Sequence, residues 1–91
     1  MSDYLPNLDW TTRFIDDLLD NRFSAAERSA IKKALTLLDE NDRHPSLRVH
    51  KLEGDREGSW TAYVNQAIRI TFERLPNGRR RLLTLTRHYD R

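Results

Sequence analysis

The sequence predicts an α+β fold, an N-terminal helical hairpin packed on one face of a small antiparallel β-sheet. Two observations carry that reading. In the N-terminal half, apolar residues recur at helical spacing twice, at Trp10, Phe14 and Leu18 and again at Ile31, Ala34, Leu35 and Leu38. Further on the period becomes two: Trp60, Ala62 and Val64 alternate with Thr61 and Tyr63, and Ile68, Ile70 and Phe72 alternate with Arg69, Thr71 and Glu73. Each helix has one wet face, so both need the sheet as a surface to lie against. With 91 residues the chain is expected to form one domain, residues 1–91. A chain of that size buries about 60–65% of the surface its unfolded form exposes.

The elements follow in order. Pro6 limits the first eight residues to a short edge strand at most, because proline removes a ladder donor. A helix is expected from Asp9, capped by Asn7 or Asp9, with Ile15 and Leu19 widening its apolar stripe and Asp16, Asp17 and Asp20 facing water. Asn21-Arg22-Phe23 breaks it. Ser24-Ala25-Ala26-Glu27 has the form of a capping box and starts the second helix, which ends at Asn41-Asp42-Arg43-His44-Pro45. Leu47, Val49 and Leu52 mark a first strand, Glu53 to Ser59 a loop, and Asn65-Gln66 a turn between the two alternating strands. Pro76-Asn77-Gly78 is a firm turn, and Leu83 and Leu85 carry the last strand.

Composition narrows the function classes. The absence of cysteine excludes a disulfide framework and a Cys-based zinc site, and fits a reducing compartment. No window approaches the roughly 18 apolar residues of a spanning helix, and no apolar leader follows Met1, so a cytoplasmic protein with no membrane partner is expected. The net charge of +2 conceals an asymmetry: residues 1–45 hold six Lys/Arg against nine Asp/Glu, and residues 46–91 ten against five. A positive patch is the footprint of a protein that meets nucleic acid, although a solvated surface has the same composition.

Strand parity says which residues share the open face. If Ile68, Ile70 and Phe72 point at the helices, then Arg69 points away from them, and by the same rule so do Arg48, His50, Thr61 and Tyr63. His88 and Tyr89 arrive from the end of the last strand, Lys51, Arg74 and Arg87 lie at the edges, and the face taken by Arg87 is open. Such a set suits cleavage of RNA by its own 2′-hydroxyl. Histidine can move protons near neutral pH, arginine holds a phosphate through two donors, and tyrosine stacks on an unpaired base. No metal or other cofactor is needed, and the three histidines lack the spacing of zinc ligands. Plainer roles exist for the same residues. Arg69 can pair with Glu73, Trp60 has core parity, Arg79-Arg80-Arg81 can be a solvated hairpin end, and His44 can belong to its loop. By themselves the residues lead to a basic α+β domain that binds nucleic acid.

The segment His50-Lys51-Leu52-Glu53-Gly54-Asp55-Arg56-Glu57-Gly58-Ser59-Trp60, with Val64-Asn65 and Arg69-Ile70-Thr71-Phe72, resembles the RelE/ParE toxin superfamily, and within it the HigB or plasmid-maintenance killer branch. The resemblance implies a toxin of a bacterial type II toxin–antitoxin module. Most relatives are ribosome-dependent endoribonucleases that cut mRNA, whereas the ParE branch poisons DNA gyrase; a catalytically weakened antitoxin-binding relative is the third possibility. On the first reading His50, Arg69, His88 and Tyr89 are catalytic, and Arg48, Lys51, Tyr63, Arg74 and Arg87 bind RNA. The partners are then a cognate antitoxin and mRNA on the ribosome. Glu53 stands where many relatives carry a lysine, and His88-Tyr89 reverses the order of the tail in the branch it most resembles.

Overall fold

The computed structural model describes residues 5–20, 22–52 and 58–87. Its elements are β1 (Leu8–Trp10), α1 (Thr12–Leu18), α2 (Ala25–Glu40), a 3₁₀ turn (Pro45–Leu47), β2 (His50–Lys51), β3 (Trp60–Tyr63), β4 (Ile68–Arg74) and β5 (Arg80–Arg87). The five strands form one sheet in the order β1-β5-β4-β3-β2. Four of them make the expected antiparallel meander. The expectation of a wholly antiparallel sheet is corrected at the other edge, where β1 runs parallel to β5.

Capping explains the helix boundaries. The Ser24 hydroxyl accepts from the Glu27 N–H at 3.1 Å while Glu27 Oε1 accepts from the Ser24 N–H at 2.9 Å, the reciprocal capping box read from the sequence. The first helix starts later than Asp9. Thr11 is its N-cap: its Oγ1 accepts from the Phe14 N–H at 3.1 Å and donates to the Leu82 carbonyl at 2.7 Å. One hydroxyl thus closes the helix end and ties it to β5. Trp10 and Phe14 still meet, edge to face at 5.8 Å, but across a strand–helix junction. Ile15 and Leu19, expected on the buried stripe, are exposed.

The two remaining boundary differences have equally local causes. The strand expected at Leu47, Val49 and Leu52 shrinks to His50–Lys51, because Pro45 opens a 3₁₀ turn with His44 as its cap. Leu47 still points inward and is 1% exposed. In β5 the core residues are Leu82 and Leu85, not Leu83 and Leu85, because the register shifts by one residue: Thr71 pairs with Thr84, but Phe72 pairs with Leu82. Leu83 is the extra residue of this bulge.

The core sits between the helices and one sheet face, and Phe14, Ile31, Leu38, Leu47, Ile68, Ile70, Phe72 and Leu82 are its large, fully buried side chains. Beyond Leu82 the outer edge of β5 has no strand beside it, since β1 ends at Trp10. Helix α1 covers that edge. Asp17 does not simply face water: its Oδ2 accepts the Leu85 N–H at 3.0 Å, satisfying a ladder donor that an open edge leaves unpaired.

Glu27 closes the other end. Its carboxylate takes both terminal nitrogens of Arg87, at 2.6 and 3.0 Å, as well as the Ser24 N–H. The Arg87 hydrogen bond, followed by that backbone donor, holds the Glu27 carboxyl at about 2, below its ordinary 4.5. A carboxylate with a depressed folded pKa adds stability above its unfolded pKa, and that stability is lost as pH falls through the folded value. In Glu27→Gln the melting temperature is therefore expected to fall below wild type at about pH 6, with the gap closing between pH 4.5 and about 2. A gap of constant size across that window assigns the loss to capping geometry alone.

Candidate functional site

The charge asymmetry of the sequence is largely consumed inside the fold. Asp9 holds Arg79, which also donates to the Pro6 and Leu8 carbonyls and so ties down the N-terminal segment. Asp42 accepts from Arg74 at 2.8 Å and from Arg80 at 3.2 Å, Glu73 from Arg81 at 3.1 Å, and Glu27 from Arg87. Burial disfavours the Asp42 charge, but its two arginines outweigh that and lower its pKa. Three of these carboxylates come from the acidic half, so acid and base interdigitate. Among the described residues of the basic half, only Arg48, Lys51 and Arg69 lack a carboxylate partner.

Two of these three cations gather on one ring. Tyr63 pairs across the strands with Arg69, whose guanidinium lies 3.6 Å from the ring centroid. The Arg48 guanidinium is 5.7 Å from the same centroid, and the His50 ring meets it edge-on at 6.1 Å. The cause lies in the short connection before β4. Asn65 Oδ1 accepts from the Ala67 and Ile68 N–H groups, both at 2.8 Å, and folds the turn back. That leaves the Asn65 and Gln66 carbonyls facing Arg69, whose Nη1 donates to them at 2.8 and 2.7 Å. The expected alternative partner, Glu73, is engaged by Arg81 instead. Arg69 thus has one nitrogen committed and two left to meet a ligand.

His50 is oriented as deliberately. Its Nδ1 is 3.1 Å from the Arg48 carbonyl, which can only accept, so Nδ1 carries the proton and the neutral ring keeps its lone pair on Nε2. Arg48 delivers that carbonyl from a left-handed backbone, φ 47° and ψ 44°, a conformation costing a non-glycine residue about 1–2 kcal/mol. Arg48→Gly relieves this strain at the expense of unfolded-state entropy. The expected outcome is a urea midpoint raised by the equivalent of about 0.5–1 kcal/mol. A destabilised glycine variant would show that the side chain, not the backbone, stabilises this turn.

Around Tyr63 lies a shallow cavity of about 370 Å³, floored by Thr61 and Thr71 and walled by His50, Leu52, Arg69 and Thr86. Parity placed His50, Thr61, Tyr63 and Arg69 on this open face, whereas Arg48, in the left-handed turn before β2, approaches Tyr63 from the sheet edge. Thr86, which the sequence did not single out, enters it because β5 sets it opposite Arg69. Three residues expected to bind RNA are placed elsewhere. Arg74 shares the inward parity of Phe72 and stacks on Trp60 at 3.9 Å. Lys51 lies 5.8 Å from the same indole. Arg87 settles the question of its face by turning toward α2, to Glu27 and to within 5.2 Å of the Phe23 ring. His88, Tyr89 and Glu53 lie outside the described residues.

A larger cavity, about 630 Å³, opens between α1, α2 and β5. Its charges are matched internally by Arg13–Asp17, Arg22–Asp20 and Arg87–Glu27, so it offers an incoming phosphate no net attraction. Among the described residues no three His, Asp or Glu side chains converge as metal ligands, and no helix is long and apolar enough to cross a membrane.

The fold, a helix pair over a mixed five-stranded sheet, is shared with solved structures of small toxins. The chain superimposes on a YoeB/ParE toxin from Agrobacterium tumefaciens with a TM-score of 0.67 and 23% identity, over 91% of this chain and 99% of that one. It matches YafQ from E. coli with a TM-score of 0.71 and 19% identity, over 88% and 90%. For a chain of the YoeB–YefM complex from Staphylococcus aureus the values are 0.65 and 17%, over 91% and 97%. No protein-family profile and no curated protein sequence matches the chain, so the likeness is one of fold.

Proposed function

We propose that the protein is the toxin of a type II toxin–antitoxin module, a cytoplasmic, metal-independent endoribonuclease that cleaves mRNA on the ribosome. The carrying observation is the convergence of Arg48, His50 and Arg69 on Tyr63, with both arginines lacking a carboxylate partner among the described residues. Like charges held together on an exposed face repel one another unless an anion joins them, and a phosphodiester is such an anion. The fold supports the toxin class, and the solved relatives include toxin–antitoxin complexes, which makes an antitoxin the expected partner. Within the superfamily, the sequence from His50 to Trp60 argues for the HigB branch.

In this mechanism His50 Nε2 accepts the proton of the 2′-hydroxyl, whose oxygen attacks the adjacent phosphorus. The free donors of Arg69 take up the charge that grows on the pentacoordinate phosphate. His88 protonates the departing 5′-oxygen, leaving a 2′,3′-cyclic phosphate, and Tyr89 assists by stacking or proton transfer. Arg48 binds a flanking phosphate, while Tyr63 presents its ring edge and the Arg69 guanidinium plane to a base.

Induction in bacterial cells followed by primer extension tests the reading. New mRNA 5′ ends at codon positions, suppressed by co-expression of the antitoxin, are the expected result. A DNA-damage response without new mRNA ends transfers the chain to the gyrase-poison class, and harmless expression transfers it to the inert scaffolds.

A further inference from the structure

The connection between α2 and β2 builds a second basic hollow, about 450 Å³, that shares only Arg48 with the residues gathered on Tyr63. Arg43, His44, Arg48, Trp60 and Arg74 line it together with Asp42. Its one carboxylate is committed: Asp42 Oδ2 accepts from both Arg74 and Arg80, and the residue is 7% exposed. Arg74 uses only Nε for that contact, and its guanidinium is pressed against Trp60 at 3.9 Å, so the terminal nitrogens are oriented with no acceptor among the described residues. The Arg43 side chain likewise has no partner among the described residues, since only its backbone N–H is bonded, to Asn41 Oδ1. His44 Nδ1 accepts the Ser46 N–H at 3.2 Å, which puts the proton of the neutral ring on Nε2 as a further donor. The lining therefore presents donors and net positive charge.

Arg48 joins the two hollows. It lines this one, and its guanidinium also lies 5.7 Å from the Tyr63 ring. Trp60 and Arg74 share the helix-side parity of Phe72, whereas Tyr63 and Arg69 face the other way. Arg48 thus stands at the sheet edge where the two faces meet, two residues before the two-residue strand β2. We propose that this hollow is a second phosphate-binding subsite, which holds the single-stranded RNA on the far side of the β2 edge from the cleaved bond. The inference rests on the nuclease reading for its substrate. The path explains why the substrate is single-stranded: a flexible strand rounds a sheet edge within a few nucleotides, whereas a duplex, stiff over roughly 150 base pairs, cannot. Cations interleaved with Tyr63 and Trp60 are the pattern of a groove that tracks such a strand.

Trp60 makes the subsite visible. The chain has two tryptophans, so Trp10→Phe leaves Trp60 as the only indole reporter. In that background a 2′-O-methyl hexaribonucleotide, which cannot be cleaved, is expected to change Trp60 fluorescence on titration. Arg43→Gln is expected to weaken binding several-fold and to lower the slope of log K against log salt by about one, the signature of one lost phosphate contact. Arg69→Gln is expected to weaken binding while preserving the Trp60 response at saturation. An unresponsive Trp60, or an Arg43→Gln protein with unchanged affinity and salt slope, overturns the proposal. So does a Trp60 response to an acidic Glu/Asp-rich peptide but not to the oligonucleotide, which gives the hollow to a protein partner. Mutant phenotypes separate the two readings. A protein that binds the oligonucleotide at Trp60 but cuts no RNA keeps the subsite and loses the nuclease reading. One that cuts RNA with Trp60 unresponsive does the reverse.

Discussion

In the proposed nuclease reaction, Arg69→Ala is expected to lower RNA cleavage by about 10²–10³-fold, the usual loss when one preorganised donor to a developing charge is removed. The geometry makes arginine specifically necessary. Nη1 is tethered to the Asn65 and Gln66 carbonyls and the guanidinium plane rests on Tyr63, so the remaining donors are aimed before substrate arrives. Lysine at this position can satisfy either the turn or the phosphate, but not both, so Arg69→Lys is expected to recover little activity. Single-turnover cleavage, or growth of cells expressing each variant, reads the effect. Circular dichroism checks the fold, which should persist because both carbonyls belong to an exposed turn where water can replace the arginine. Full toxicity in a folded Arg69→Ala protein would remove Arg69 from the mechanism.

Phe72→Ala carries the largest expected loss of stability, about 3–5 kcal/mol out of the roughly 5–15 typical of a domain. Phe72 is fully buried and sits between Trp60 on β3 and Leu82 on β5. It also marks the register shift, pairing with Leu82 on one side of the extra residue Leu83 while Thr71 pairs with Thr84 on the other. Leu83→Ala, at a half-buried position, is the control and should cost under about 1.5 kcal/mol. Urea unfolding distinguishes the two, and equal losses would mean that the core is organised around the bulge and not around Phe72.

Much of the site was legible because strand alternation is a local rule. A side chain's face follows from its neighbours one residue away, and this placed His50, Tyr63 and Arg69 together from sequence. Parity failed where the backbone left that rule. The left-handed Arg48 and the bulge at Leu83 each interrupt the alternation, and no single residue announces either. Charge was misread for a different reason. Arg74, Arg80 and Arg87 count as free cations in composition, yet each finds a carboxylate on or just beyond α2, and |i−j| runs from 32 to 60.

The sequence by itself determined the α+β class, the capping box at Ser24 and the apolar faces of β3 and β4. Each of these is written in periods or motifs a few residues long. Only the tertiary structure decided that β1 joins β5 in parallel, that Asp17 seals the β5 edge, and that Arg48 and Arg69 have no carboxylate partner among the described residues while neighbouring arginines are neutralised. Those outcomes depend on which distant groups compete for the same donors and acceptors, and that competition is resolved only when the helices dock on the sheet.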